Sequence, residues 1–140
     1  MKGFNMDQID KKIIELLKED SRLNFKSIGE QIHMTGQAVG NRIRKLEDKR
    51  IIERYTIQLD TQKQGLISAY ITLLMKSNDH YRVRQFVQEK SEIVDAVRIS
   101  GEGCYILKVE VESHDDLNEL CDQALEFANY RINIITERIK

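Results

Sequence analysis

The chain has 140 residues, 41% hydrophobic and 32% charged, with a formal net charge of −1, the composition of one ordinary or two small water-soluble domains. No apolar run approaches the roughly 20 residues of a membrane span, and MKGFNMDQID lacks the apolar core of a secretory leader, so a cytoplasmic location without membrane contact is expected. Two cysteines are too few for a disulfide framework, His33, His80 and His114 form no zinc-type cluster, and no Gly-rich phosphate loop or defensible Ser-His-Asp set is found; catalytic residues, metal and cofactor are all expected to be absent.

In chain order, DQIDKKIIELLKED reads as a helix capped by Asp7, with Ile9, Ile13, Leu16 and Leu17 on one face. Asn24 caps a short helix, FKSIGEQI, that buries Ile28 and Ile32, with Gly29 placed to let a crossing helix come close. After a brief break, HMT, a third helix starts at Thr35 and buries Val39, Ile43 and Leu46. Short helix, tight turn and longer helix is the layout of a helix-turn-helix. IIERYTIQLD alternates and is rich in β-branched residues, which predicts a strand or small wing, and DTQKQG reads as a polar linker.

The second half alternates strand and helix. ISAYITLLMK is a strand, YRVRQFVQEK a helix burying Val83, Phe86 and Val87, and VDAVRIS and CYILKVEVE are strands. DDLNELCDQALEFA is a helix expected to bury Leu117, Leu120, Cys121, Ala124, Leu125 and Ala128, and YRINIITERI closes the sheet. Two βαβ units with right-handed crossovers give an antiparallel sheet with both helices on one face. The fold class is α+β: an N-terminal winged helix-turn-helix (1–59), a linker (60–65) and a C-terminal ferredoxin-like βαββαβ domain (66–140). Tyr105, Leu107, Val109 and Val111 point to its core, and Cys104, Ile106, Lys108, Glu110 and Glu112 to an open face that suits a partner subunit.

Residues 1–60 hold 12 Lys/Arg against 10 Asp/Glu, whereas 61–140 hold 10 against 13. The basic excess concentrates in 42–54, with six basic against three acidic residues. At about 100° per residue, Gln37, Asn41, Arg44, Lys45 and Asp48 lie opposite the apolar stripe of the third helix. Gln37 and Asn41 have the donor and acceptor pair that reads adenine; Arg44 suits guanine or phosphate. Lys45, Lys49 and Arg54 suit phosphates, and Thr35 and Gly36 open the helix N-terminus, where free N–H groups favour phosphate. Gly36 and Gly40 share a flank where the missing side chains would let a DNA strand approach. Arg42 is divided between DNA contact and an ion pair with the first helix.

These stretches together resemble the Lrp/AsnC (feast/famine) transcriptional regulators over nearly the whole chain. The carriers are MDQIDKKIIELLKEDSRL, the helix-turn-helix IGEQIHMTGQAVGNRIRKLEDKRII with its V-x-x-R-[VI]-x-[RK]-L-E core, YTIQLDTQKQGL, and SGEGCYILKVEVES, which is similar to the family's G-[DE]-x-D-Y-[LI]-L-K-V. The resemblance implies double-stranded DNA as partner and a regulatory C-terminal domain. It also implies dimers joined through the sheets, often four in an octameric ring, and an amino-acid effector held near Ser100, Gly101, Glu102, Gly103 and Cys104. Three departures stand out. Thr35-Gly36 replaces the usual Ser-Pro, and His33 and Arg50 stand where glycine often ends a helix. Cys104 replaces an Asp that would accept hydrogen bonds from an ammonium group, and a thiol does so weakly, so either the ligand differs or there is none. The alternatives are a small-molecule sensor or assembly module without DNA binding and, least favoured, an enzyme resembling the haem-pathway decarboxylases related to this family.

Overall fold

The computed structural model describes residues 5–140, so the first four residues of the stretch read above as lacking a leader's apolar core lie outside the described residues. Two compact units divide the chain, 1–58 and 59–140. No helix among the described residues is long and apolar enough to cross a membrane.

The first unit has three helices: α1 (Gln8–Glu19), α2 (Phe25–Ile32) and α3 (Gly36–Asp48). Each starts on a residue whose side chain takes up an otherwise orphaned amide. Asp7 Oδ1 accepts from the Asp10 N–H at 2.8 Å while Asp10 Oδ2 accepts from the Asp7 N–H at 3.2 Å, a reciprocal capping box. Asn24 accepts from Ser27 N–H at 2.8 Å, and Thr35 from Ala38 N–H at 3.2 Å. Ile13, Ile28, Val39 and Ile43, drawn from all three helices, form the buried cluster. Each such side chain stabilises the unit by about 1.5–3 kcal/mol relative to exposure.

The strand expected over 51–60 does not form: residues 53–60 carry no regular secondary structure, and Ile57 and Leu59 are exposed. Alternation supplies the side chains of a strand, but a strand also needs a neighbour to take its N–H and C=O groups, and none lies alongside among the described residues. The stretch read as a linker, 60–65, is a turn of the second unit. Leu66 N–H reaches Thr61 O at 2.9 Å, Ser68 Oγ donates to Thr61 Oγ1 at 2.9 Å, and Gln62 Nε2 donates to Thr136 O at 3.2 Å.

The second unit runs β1 (Ile67–Met75), α4 (His80–Glu89), β2 (Ile93–Arg98), β3 (Tyr105–Val111), α5 (His114–Ala124) and β4 (Ala128–Ile134). Its antiparallel sheet has the order β2-β3-β1-β4, the ferredoxin-like arrangement. Ile71 sits at the sheet centre, opposite Leu107 on one side and Ile132 on the other. Ala69, Ile71, Leu73, Tyr105, Leu107, Val109 and Val111 are buried with Val83, Phe86, Leu117, Leu120 and Cys121 from the two helices. The final helix is shorter than its apolar spacing suggests. It ends at Ala124, Leu125 is exposed, and Ala128 enters the core as the first residue of β4. Between them Phe127 turns inward and packs edge-on against Phe86, centroids 5.3 Å apart, so the i, i+4 pair 124/128 is shared by a helix and a strand.

Candidate DNA interface and effector turn

The α2–α3 turn depends on one absent side chain. A Cβ at Gly29 would stand 2.3 Å from the Met34 carbonyl oxygen, and Met34 N–H bonds to Gly29 O at 2.9 Å. Gly29 thus admits the turn itself and not a crossing helix. His33 makes the turn in the left-handed region (φ 59°), at a conformational cost a glycine would avoid. Arg50 does the same beyond α3 (φ 53°). There Arg50 N–H bonds to Glu47 O at 2.8 Å and Ile51 N–H to Leu46 O at 2.8 Å, the paired bonds of a Schellman closure.

On α3, Gln37, Asn41, Arg44, Lys45 and Asp48 are exposed, and Val39, Ile43 and Leu46 are buried. Polar side chains able to reach base edges therefore share a solvent face two turns long, opened by the Thr35 cap. The glycines do more than expected. A Cβ at Gly36 would lie 3.2 Å from the Lys26 backbone nitrogen, and one at Gly40 2.9 Å from two atoms of the Phe25 ring. Both clear room for the start of α2, a packing reason for the missing side chains that stands beside the expected approach of a DNA strand.

Arg42 is also reassigned. Its guanidinium binds Asp7 Oδ2 at 2.7 Å and Asp10 Oδ1 at 2.8 Å, tying α3 to the capping box of α1. The Asp10 N–H bond first, and then Arg42, hold the Asp7 carboxyl below its ordinary range. The same two carboxylates raise Arg42 further, so it stays charged. Its side chain, 30% exposed, is paired within the unit, on a different side of α3 from Arg44. Arg54 is exposed on the wall of an open groove of about 840 Å³ that also includes Ile14, Leu17 and Tyr55. Tyr55 pins this segment to α3 by donating to Glu47 Oε1 at 2.8 Å.

In the second unit, Ser100 to Cys104 form the β2–β3 connection. Gly101 (φ 106°) and Gly103 (φ 87°) take backbone conformations that disfavour a side chain, and a Cβ at Gly103 would meet Thr72 Cγ2 at 2.7 Å. Cys104 N–H donates to Leu73 O at 2.8 Å, and Ile99 N–H to Cys104 O at 3.0 Å, which ties the turn to the end of β1. Glu102 Oε1 receives a hydrogen bond from Arg131 on β4 at 2.7 Å. The connection therefore brings the Glu102 carboxylate to the Arg131 guanidinium, while Cys104, expected on the open face, is half-buried against the core cluster. No group of metal-ligating side chains is found among the described residues.

Sequence reasoning missed Phe25 and Arg131. The glycine spacing 36/40 was a usable signal for a bulky neighbour, but nothing local identifies its owner. Arg131 joins Glu102 only through the strand order.

Comparison with known proteins matches residues 6–47 to the AsnC-type helix-turn-helix domain and residues 68–140 to the Lrp/AsnC ligand binding domain. The chain is 42% identical to the HTH-type transcriptional regulator LrpB of Bacillus subtilis, across 98% of this chain and 93% of that protein. The solved structure of B. subtilis LrpC superimposes with a TM-score of 0.88 at 33% identity, covering 98% and 99% of the two chains. A transcriptional regulator of Neisseria meningitidis, solved as a complex with L-Met, has the same fold, with a TM-score of 0.85 at 22% identity over 97% and 93%.

Proposed function

Because this chain belongs to the Lrp/AsnC family of HTH-type transcriptional regulators, we propose that the exposed face of α3 is the surface with which it reads double-stranded DNA. The chain is a regulator and not an enzyme. The observation that carries the assignment is the division of α3 into a buried stripe and an exposed Gln37, Asn41, Arg44 and Lys45 face behind a capped N-terminus. Gln37 and Asn41 offer the paired donor and acceptor that match adenine, and Arg44 the fork that matches guanine. Lys45, Lys49 and Arg54, with the N–H groups behind Thr35, serve phosphates. Arg42, Gly36 and Gly40 shape this surface from beneath.

The 66–140 domain is the regulatory and oligomerising part in this reading. An amino acid, the ligand class seen in the Neisseria regulator, would bind at Ser100–Cys104, where Glu102 suits an ammonium group and Arg131 a carboxylate. Cys104 in place of an acidic residue leaves Glu102 as the turn's only carboxylate, so selectivity for the ammonium end rests on it. Subunits join through the open sheet face, where Tyr70 and Val97 are exposed apolar side chains. The dimer, and the octamer the resemblance implies, work in the cytoplasm.

The test starts from duplexes selected from a random library with the full chain. Asn41→Ala and Arg44→Ala should each weaken binding to the selected site by about 1–3 kcal/mol and blur one base preference. Unaltered site preference in both variants would overturn the assignment.

A further inference from the structure

Phe25 opens α2 and remains 45% exposed. Single exposed apolar residues are common on protein surfaces, but this one has a seat prepared for it. Its ring stands outside the Ile13–Ile28–Val39–Ile43 cluster and lies on Gly40, where a Cβ would come within 2.9 Å of both Cδ2 and Cε2. In a helix interior glycine lowers helix stability by about 1 kcal/mol relative to alanine. α3 thus carries a costly residue where an aromatic ring with an open outer side rests on it. At about 100° per residue, Gly40 lies about 40° from Arg44 and about 60° from Gln37. The ring therefore borders the face that carries the base-reading side chains, on the flank of Arg44.

We propose that Phe25 is a specificity-determining residue whose ring packs against the C5-methyl group of a thymine flanking the bases met by Arg44 and Gln37. Thymine alone among the four bases presents a methyl group in the major groove, and an apolar side chain is its natural partner. The exposed side chains of α3 offer mainly hydrogen bonds, so Phe25 adds a large apolar surface beside them. Gly40 is a positioning residue in this account: it sets the height of the ring and does not itself meet DNA. The inference rests on the assignment of the α3 face to DNA.

The test uses the full chain and a random duplex library, with Phe25→Ala, Phe25→Leu and Gly40→Ala selected in parallel and circular dichroism to follow folding. The wild type should recover a motif containing one thymine whose replacement by deoxyuridine weakens binding about fourfold, the equivalent of one buried methyl group at about 0.8 kcal/mol. Phe25→Ala should lose the preference at that position alone and bind thymine and deoxyuridine duplexes equally. Phe25→Leu should keep part of it. Gly40→Ala, whose methyl group displaces the ring, should reproduce the loss. An unchanged motif and thymine/deoxyuridine ratio in Phe25→Ala would overturn the role of Phe25 while leaving the α3 assignment intact. Uniform weakening on all sequences would overturn it too, in favour of a sugar–phosphate contact. Should Phe25→Ala fail to fold, the wild-type ratio and Gly40→Ala still decide. A wild type that selects no motif would overturn the α3 assignment and this inference together.

Discussion

Arg42 and Arg44 are two residues apart on one helix, yet they have opposite employments. About 200° of helical rotation separates them, which turns Arg44 to solvent and Arg42 onto Asp7 and Asp10. The Asp10 side chain is only 9% exposed, so removing its partner leaves a nearly buried carboxylate unpaired. Arg42→Ala should therefore destabilise the N-terminal unit by about 1–3 kcal/mol, measured by urea unfolding, and it should weaken DNA binding only in proportion to the unfolded fraction. Asp7 adds a pH signature. Its carboxyl is held below its ordinary value of 3.8 by the Asp10 N–H and Arg42. Its stabilising contribution is complete above that value and is lost as pH falls through the lower folded-state value. Asp7→Asn should flatten this acid-side loss. The double possibility for Arg42 was visible in the sequence; which one holds depends on where α1 crosses α3, and helical periodicity carries no information about crossing.

Elements were legible where local chemistry decides them. Asp7, Asn24, Thr35 and the turn at His33 mark helix ends through side chains and backbone within a few residues, and these were readable. The strand Tyr105 to Val111 was readable because buried and partly buried positions alternate along it. Residues 53–60 show the limit: the same alternation, without a neighbour, leaves an irregular segment. What holds it is Tyr55, whose hydroxyl bonds to Glu47 at the end of α3. Partial burial and this carboxylate push the phenol up to about 12, because both disfavour the phenolate. The bond's contribution is therefore complete below the ordinary value of 10.0 and is lost as pH climbs from there through about 12. Tyr55→Phe should speed amide hydrogen exchange across 53–58 while leaving exchange in α4 and α5 unchanged. Equal exchange in both proteins would show that Tyr55 does not restrain the segment.

At the scale of the molecule, two separate cores match two separate tasks. The order β2-β3-β1-β4 follows from two right-handed crossovers, so the sheet and its uncovered face could be argued from strand and helix alternation alone. The pairing of Glu102 with Arg131 could not, because it joins residues 29 apart through that order. If subunits join through the uncovered face that exposes Tyr70 and Val97, the solution mass should be at least twice that of the 16.4 kDa chain. Val97→Asp, which adds a charge to an exposed site, should shift that mass downward in light scattering without unfolding the chain. A wild type of single-chain mass would remove the sheet-to-sheet dimer.

In the proposed function the α3 face reads DNA sequence while basic residues around it neutralise phosphates. The most direct measurement is fluorescence anisotropy of the full chain on the DNA upstream of its own gene and on a scrambled duplex, across several salt concentrations. Binding to the upstream DNA should be tighter, with log affinity falling linearly as log salt rises. Absence of binding to either duplex at low salt would contradict that function.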